Sequence, residues 1–435
     1  MKNIIFYLIA ISTIMMMLTG CGINGKNDEE KVDDAVRLND IKSVCEDVLV
    51  EVEEIDGISR LFYYDYKTEK EIYACSQANC NHSVANYISG KINCNAIIEG
   101  EVKYPFVYNG SLYYIICENG TSVIWKSNTD GTNKEEVITL EFELDAGCIC
   151  AEKDGMLYLA SHEVIDKEID TNKYEQCGGK SEVYEINIID RTTKQLTNFG
   201  LKAEAYCKGI YYFDGKLFIQ YYCREKTYQE AGFKDVDHFL LWMESDDFSY
   251  AKQIEMLGEK QKYYIYDFSS NKAELFDIDF ETNFAPYKGI EDMDGVYYLL
   301  CYKEDIVYYL DAVVGNYSIF SYNTKTKERK EIISSFKIVE KYIKGKIYIT
   351  AMDMDESTKG ELIPSVDINK EPRYYIYDVA RDELVEQNYG KKGKIYYAID
   401  RNDNGLLMYE VNYDLMLDFI DEHNIKEIEA GKIKE

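Results

Sequence analysis

Three cysteines and one histidine lie close together in the sequence and are the side chains best suited to chemistry. Cys75, Cys80, His82 and Cys94 follow the spacing C-x4-C-x-H-x11-C. Three thiolates and one imidazole are a donor set that tetrahedral Zn²⁺ accepts. In an oxidising compartment, two of the same cysteines could form a disulfide instead. The spacing leaves zinc, a disulfide and neither of them open. Zinc or a disulfide would make a local clamp on a segment poor in apolar residues rather than a catalytic centre.

The sequence contains no recognisable catalytic signature. The other three histidines, His162, His238 and His423, have no motif around them. No G-x-S-x-G, H-E-x-x-H or P-loop pattern occurs. Paired carboxylates for glycoside cleavage stay open, because 79 acidic residues make such a pair easy to find by chance. We therefore expect a non-catalytic protein, and a glycoside hydrolase or lyase is the alternative.

The elements that must position these side chains come from an internal repeat. A glycine turn followed by an apolar, aromatic strand recurs six times, with the glycines at positions 110, 155, 215, 295, 345 and 393. A strand, a polar turn and a second strand alternate with it, as at Leu61–Asp65 and Tyr263–Asp267. Asp-Gly and Asn-Gly supply the positive φ that tight hairpins need. Each unit is predicted to hold four short antiparallel strands, which is the pattern of a propeller blade.

The repeat predicts an all-β chain with a single β-propeller over residues 45–412. Five units are complete between about residues 101 and 388, and partial units lie on both sides of them. If the partial units are separate blades, the propeller has seven blades, which is the count we favour. If they join to close the ring, it has six. Residues 413–435 lack the repeat and are predicted to form a short C-terminal helix.

The N-terminus has the layout of a secretory signal. Lys2 is the only charged residue among the first 20, and the apolar run Ile4–Met17 is too short to span a bilayer comfortably. Leu18–Cys21, with the sequence Leu-Thr-Gly-Cys, resembles the lipobox of bacterial lipoproteins. An ordinary cleaved signal with a chance cysteine is the alternative. We predict a signal peptide at 1–20, lipidation of Cys21, and a flexible stalk over 21–44.

Charge limits the possible partners. The formal net charge is −30, which disfavours nucleic acid because such a surface repels a phosphate backbone. Anionic lipid headgroups are repelled as well, so the acyl chains rather than the protein surface must hold the protein at a membrane. Cations and basic partners are favoured by the same charge.

On its blade repeat and its N-terminus, the chain resembles the TolB-like β-propeller lipoproteins of Gram-positive bacteria, most of which are uncharacterised. The resemblance covers essentially the whole mature chain and rests on the blade pattern. It implies a propeller fold and a position on the extracytoplasmic face of the cell membrane, held there by the lipid. It implies no particular activity.

Four long segments interrupt the repeat. They are Ser161–Lys180, Arg224–Gln261 and Met352–Pro372, between the second and third strands of their units, and Cys75–Cys94, between two units. In an antiparallel blade these connections lie on one face, here called the long-loop face. The turns joining strands one and two, and three and four, lie on the opposite Gly-turn face.

Long loops in compact domains are usually functional, so the long-loop face is predicted to bind a ligand or a protein partner. Arg224–Gln261 is the best candidate for the contact, because Phe239–Trp242 places an apolar run inside a charged loop. The alternative is that this run only packs as a lid on the ring. Trp242, His238 and Tyr228 are the predicted ligand-contacting residues.

Overall fold

The structure is a computed structural model. It describes residues 36–37, 42–45, 48–65, 67–118, 120–144, 151–170, 173–245, 247–276, 296–313, 316–358, 366–367, 369–389, 394–402, 405–412, 425–429 and 432–433. The predicted signal peptide, Cys21 and His423 lie outside these ranges. Within them, no helix is both long enough and apolar enough to cross a membrane.

The described residues form seven sheets, and each sheet is built on an antiparallel path of four strands. This confirms the predicted all-β architecture. A two-residue strand, β1 (Val36–Arg37), comes first. The first sheet contains β2 (Lys42–Cys45), β3 (Val48–Ile55), β4 (Ile58–Asp65), β5 (Lys70–Tyr73) and the short β6 (Ile97–Glu99). The second contains β7 (Glu101–Tyr108), β8 (Ser111–Glu118), β9 (Thr121–Asn128) and β10 (Glu135–Leu140).

The third sheet is the largest, because three short or extended strands join its four-stranded path. It contains β11 (Glu143–Leu144), β12 (Ala151–Lys153), β13 (Met156–Asp170), β14 (Lys173–Lys180), β15 (Val183–Asn187) and β16 (Thr192–Gln195). Its path runs β12-β13-β15-β16, β11 and β14 also pair with β13, and β1 pairs with β12. The fourth sheet contains β17 (Glu204–Phe213), β18 (Lys216–Arg224), β19 (Glu259–Asp267) and β20 (Lys272–Leu275).

The last three sheets have four strands each. The fifth contains β21 (Val296–Lys303), β22 (Ile306–Val313), β23 (Asn316–Asn323) and β24 (Arg329–Ser335). The sixth contains β25 (Lys337–Ile343), β26 (Lys346–Met352), β27 (Arg373–Asp378) and β28 (Glu383–Gln387). The seventh contains β29 (Lys394–Asn402), β30 (Gly405–Asn412), β31 (Ile425–Glu429) and β32 (Lys432–Ile433).

The described helices all lie in connections. They are α1 (Val84–Ile88), α2 (Val236–Met243), α3 (Tyr250–Leu257) and one 3-10 turn at Glu356–Thr358.

Both predicted terminal elements need correction. The predicted helix over 413–435 is wrong where the structure describes it, because β31 pairs with β30 and β32 completes the sheet. The free edge of β30 offers unpaired backbone groups, and this segment satisfies them. The predicted flexible stalk is also wrong for two stretches, since Lys42–Cys45 pairs with β3 and Val36–Arg37 pairs with β12.

Four glycine turns join the first and second strands of their sheets, as predicted. Asp154 and Gly155, for example, have φ values of 50° and 81° between β12 and β13. In the fifth sheet this prediction is wrong, because Glu304 and Asp305 (φ 50° and 67°) form that turn and the glycine at 295 precedes β21. The glycine at 393 likewise precedes the first strand of the seventh sheet. A turn signal marks a reversal of the chain, but not which pair of strands it joins.

Apolar side chains fill the spaces between neighbouring sheets. Leu61 and Tyr63 of the first sheet belong to the same buried cluster as Leu112 and Tyr114 of the second. Another buried cluster joins the two ends of the chain, because Leu49, Phe62 and Tyr64 of the first sheet pack with Leu407 of the seventh.

Candidate functional site

The four predicted metal ligands come together beside the first and second sheets. The segment that carries them leaves β5, forms α1 and returns through β6 to β7. The ligating atoms of Cys75, Cys80, His82 and Cys94 all lie within 4.8 Å of one another. His82 Nδ1 is 3.4 Å from Cys94 Sγ. Cys94 is buried, the other three residues are partly buried, and all three cysteines are free thiols.

This spacing suits a tetrahedral metal site. With Zn–S bonds of about 2.3 Å, two sulfurs on one zinc ion lie about 3.8 Å apart. A disulfide would draw two sulfurs to about 2.05 Å and leave the third thiol and the imidazole without a role. Because all four donor atoms converge, the geometry can hold a divalent metal ion.

Backbone amides point at two of the sulfurs. Burial pushes the pKa of the Cys75 thiol upward, but N–H donors from Gln77 and Asn95 outweigh it and bring that pKa below its ordinary value. Burial, reinforced by the neighbouring Cys80 thiol, raises the pKa of Cys94 to about 12, and the Ala96 amide opposes this rise. In both cases the amide two residues after the cysteine donates to its sulfur, an arrangement that stabilises a thiolate ligand.

The sheet holds His82 in place from the other side. Arg60 Nη1 donates a hydrogen bond to the carbonyl oxygen of His82 at 3.1 Å. The Tyr73 ring stacks on the imidazole with centroids 4.5 Å apart, and Arg60 in turn lies 4.9 Å from the Tyr73 centroid. Burial and the nearby Arg60 charge lower the pKa of His82, which favours the neutral imidazole that binds metals.

Gly131 brings the second sheet against the cysteine segment. It lies between β9 and β10 with φ of +70°, and a Cβ atom there would come within 2.2 Å of the Ala74 carbonyl oxygen and 2.7 Å of that of Asn95. Ala74 precedes Cys75 and Asn95 follows Cys94, so this contact supports both ends of the cluster. Asp130-Gly131 is visible as a turn signal in the sequence, but nothing local shows what the turn packs against.

The structure places all four long segments on the predicted connections. β18 and β19 pair as second and third strands on either side of the helical segment, as do β26 and β27 on either side of 353–372. The segment Ser161–Lys180 is not a loop, since most of it forms the hairpin β13–β14. The segment 75–94 joins the first sheet to the second.

The helical insertion is shorter than predicted. Arg224 ends β18 and Gln261 lies within β19, so the insertion consists of residues 225–258. Its ends are close together, because Glu225 N–H donates to the Gly258 carbonyl oxygen at 3.3 Å. Asp235 caps α2 through a 2.9 Å bond from the His238 amide. Phe233, Phe239 and Leu257 form its own buried core.

The three predicted ligand-contacting residues also make contacts within the protein. Trp242 packs against Phe233 at 5.3 Å, and Tyr228 lies 4.2 Å from the Arg224 guanidinium. His238 is exposed, and its Nδ1 accepts the Lys234 amide at 3.3 Å. The apolar surface comes instead from the next residues on α2, Leu240 at 51% and Leu241 at 66% exposure. The sequence could not show which face of the apolar run would turn inward.

A cavity of about 750 Å³ lies between the second and third sheets. The rings of Phe142 and Tyr184 stack in its wall at 4.3 Å. His162, which had no context in the sequence, lines the cavity as well. Its backbone in β13 lies opposite that of Glu143 in β11. The other charged residues of the wall are Glu141, Glu163 and Lys180. The excess of carboxylates favours a cation at this cavity.

No family model matches the sequence, and no curated protein matches it either. Solved structures do show a similar arrangement of the chain. The β-propeller domain of the Trilobed protease from Pyrococcus furiosus is 8% identical with a TM-score of 0.43, over 86% of this chain and 92% of that one. TolB from Acinetobacter baumannii is 10% identical with a TM-score of 0.31, over 88% and 80%. Oligogalacturonate lyase from Vibrio parahaemolyticus is 9% identical with a TM-score of 0.39, over 88% and 91%. TM-scores below 0.5 give these likenesses no weight for activity.

Proposed function

We propose that this protein is a lipid-anchored extracytoplasmic binding protein, in which seven sheets close into a β-propeller and the long-loop face meets a basic protein partner. The observation that carries the proposal is the insertion 225–258, which has a core of its own and leaves Leu240 and Leu241 exposed. An insertion that folds on its own apolar residues and still exposes two leucines has a surface available for a partner.

The charges around the two leucines define the partner. Asp237 lies three and four residues before them on α2, and Glu244 lies four and three residues after them. Residues at these spacings are neighbours on a helix surface. The apolar pair is therefore flanked by carboxylates, in a chain whose net charge is −30. A partner with an apolar pocket rimmed by Lys or Arg is complementary to it.

Closure of the ring explains the packing of the chain ends. An open series of sheets would leave the outer faces of the first and seventh sheets exposed, and a closed ring buries them. The cluster of Leu49, Phe62, Tyr64 and Leu407 joins those two sheets and supports closure with seven blades.

We also propose that Cys75, Cys80, His82 and Cys94 hold a structural zinc ion. Four protein ligands leave no open position for water or substrate, which is the pattern of structural rather than catalytic zinc. Zinc would supply no reaction here. It would tie the connection between the first two blades to Gly131, in the β9–β10 turn of the second sheet, and so hold the two blades together at this point.

The anchor rests on the N-terminal sequence. Lipidation of Cys21 would place the protein at the cell membrane, on its extracytoplasmic side. A Cys21→Ala variant is then expected to leave the membrane fraction or to stay unprocessed. Continued partition of that variant with membranes would rule out the anchor.

The experiment for the binding face compares three purified proteins without the signal peptide. They are the wild type, a variant with residues 226–257 replaced by a short glycine turn, and the double variant Leu240→Ser, Leu241→Ser. Each is used to capture partners from extracytoplasmic extracts and is screened on a glycan array. We expect a basic protein that is captured by the wild type alone and released by salt. Both variants should keep the β-sheet circular dichroism of the wild type, because the replacement joins strand ends that already meet. The truncated variant should lose only the helical signal of α2 and α3.

Two results would contradict this proposal. Equal capture by the double variant would place the contact away from α2. Turnover of a polysaccharide by all three proteins would favour the alternative, an extracytoplasmic glycoside hydrolase or lyase, and would direct attention to the cavity lined by His162 and Glu143.

A further inference from the structure

The strand β1 lies on the inner side of the third sheet. In the order β1-β12-β13-β15-β16, β12 is the first strand of its four-stranded path, and β1 occupies its other edge. In a closed ring the first strand of each blade lines the central channel. Val36 and Arg37 pair with Glu152 and Ala151. In the closed ring proposed above, they would therefore lie on the channel side of β12.

The direction of β1 shows from which side the chain enters. β12 runs toward the turn at Asp154 and Gly155, which joins it to β13 on the Gly-turn face. β1 is antiparallel to β12, so Val36 opposite Glu152 is nearer that face than Arg37 opposite Ala151. β1 thus runs away from the Gly-turn face, with Val36 as its end nearer that face.

The next strand is consistent with this path. Only residues 38–41 separate Arg37 from Lys42, which begins the innermost strand of the first sheet. β2 pairs antiparallel with β3, and Ser43 Oγ donates to the Pro105 carbonyl oxygen of the second sheet at 2.6 Å. The two described strands therefore run in opposite directions, β1 away from the Gly-turn face beside the third sheet and β2 toward it in the first.

We infer that the polypeptide enters the ring through its Gly-turn face, so that an anchor at Cys21 turns that face to the bilayer and presents the long-loop face outward. This inference rests on the proposed anchor and adds the orientation. In this orientation the long-loop face meets a partner that approaches from outside the membrane, and it does not contact the lipid surface.

The length of the tether supports one orientation. Fifteen residue steps separate Cys21 from Val36, a distance of at most about 54 Å at full extension. In the inverted orientation the tether would have to pass outward across four strands, about 14 Å, and then down the side of eight-residue strands, about 26 Å long. The helical insertion adds further height on the long-loop face. Almost no length would remain for Cys21 to reach the bilayer.

The path inside the ring is tested by crosslinking. A photoreactive phenylalanine analogue at position 36 of the full chain should form crosslinks to the peptide containing residues 151–153, and the same analogue at Asp56, in the exposed β3–β4 turn, should not. Mass spectrometry locates the crosslinked peptides. Crosslinks from position 36 to another sheet, or none within the chain, would overturn the inference whether or not the protein is lipidated.

The orientation is tested on the lipidated protein in liposomes. A fluorophore is attached through an azide-bearing residue at Ser270, in the β19–β20 turn of the Gly-turn face, or at Ser357, on the long-loop face. Energy transfer to acceptors on the lipid headgroups should be strong at Ser270 and largely lost at Ser357. Equal or reversed transfer would overturn the orientation.

A separate measurement distinguishes the two proposals. Flotation of the liposomes and the mass of the N-terminal peptide report whether Cys21 carries lipid. Protein that does not float contradicts the anchor and, with it, the orientation. Protein that floats but shows equal transfer contradicts the orientation alone.

Discussion

Two of the segments predicted to lie on the long-loop face are ordered in opposite ways. The insertion 225–258 contains Phe233, Phe239 and Leu257, which pack together as a separate apolar cluster. The segment 75–94 has no cluster of its own, and its apolar residues, such as Val84, join the core between the first two sheets. Its centre is occupied by three thiols and an imidazole.

The difference shows what each segment needs in order to stay folded. In an insertion with its own core, burial of apolar surface offsets the conformational entropy lost on folding, so the insertion tolerates changes in its surroundings. A segment organised around polar donors would depend on the proposed ion, because metal binding would then supply folding free energy. One segment should respond to chelators and the other to truncation of an aromatic ring.

The largest expected effect is loss of the metal. Cys94→Ser should abolish the retention of about one equivalent of zinc and free the segment 75–94, because zinc in small sites contributes on the order of 10 kcal/mol. Metal analysis and hydrogen exchange measure both changes. Cys223→Ser is the matched control, since that thiol is equally buried but lies in the fourth sheet. Full zinc content in Cys94→Ser, or a disulfide in the wild type, would contradict the zinc site.

The next effect concerns the insertion. Phe239→Ala should destabilise residues 225–258 by about 3–5 kcal/mol, because a buried phenylalanine loses both its burial and its packing. Faster amide exchange should be confined to the insertion, with unchanged zinc content. Leu241→Ala, at an exposed position on the same helix, should change stability by less than about 0.5 kcal/mol. Equal effects of the two variants would mean that the insertion has no core of its own.

A smaller effect tests the contact between the second sheet and the cysteine segment. Gly131→Ala should cost about 1–3 kcal/mol from overpacking, because the added methyl group meets two carbonyl oxygens. It should also speed the loss of zinc to a chelator. Gly90→Ala is the control, with a similar φ of +68° but no atom within 4 Å. If both variants release zinc at the same rate, the contact of Gly131 does not support the site.

The smallest effect concerns the start of α2. Asp235→Ala should cost about 1 kcal/mol, because the side chain caps the helix through the His238 amide. Exchange of that amide should quicken while zinc content and the exchange of residues 75–94 stay at wild-type values. Asp235→Asn should retain most of the protection, since an amide oxygen caps as well as a carboxylate. Equal loss in both variants would point to charge rather than capping.

The errors of the sequence-based prediction concern which segments are joined or paired with one another. The repeat predicted the strand ending at Asp267 and the turn at Gly155, because alternating apolar residues and Asp-Gly act over a few residues. It placed the glycines at 295 and 393 in the wrong connection, because the residues of a turn do not determine which two strands the turn joins. It missed β31 for a related reason, since the strand exists by pairing with β30.

At the candidate metal site, too, local features could be predicted from the sequence and long-range contacts could not. Cys75 to Cys94 could be predicted as a set, because their donor types and short spacing are properties of the sequence. Gly131 and Arg60 could not, since each reaches the cluster from a strand or turn that only the packed sheets bring near. Trp242 and Tyr228 stay predicted ligand contacts, and the structure adds that Trp242 packs on Phe233 and Tyr228 on Phe239, which the sequence could not show.

The sequence by itself determined the all-β class, the four-stranded unit and the identity of the four possible metal ligands, because each depends on residues close together in the chain. The tertiary structure alone decided which apolar side chains of α2 face solvent, which turn supports the cysteines and where β1 pairs. These outcomes depend on long-range contacts, whose free energy is gained only after distant segments have met. The difference is largest for β1, because its position and direction are fixed only by pairing with β12, more than a hundred residues away. The proposed orientation of the domain follows from that pairing.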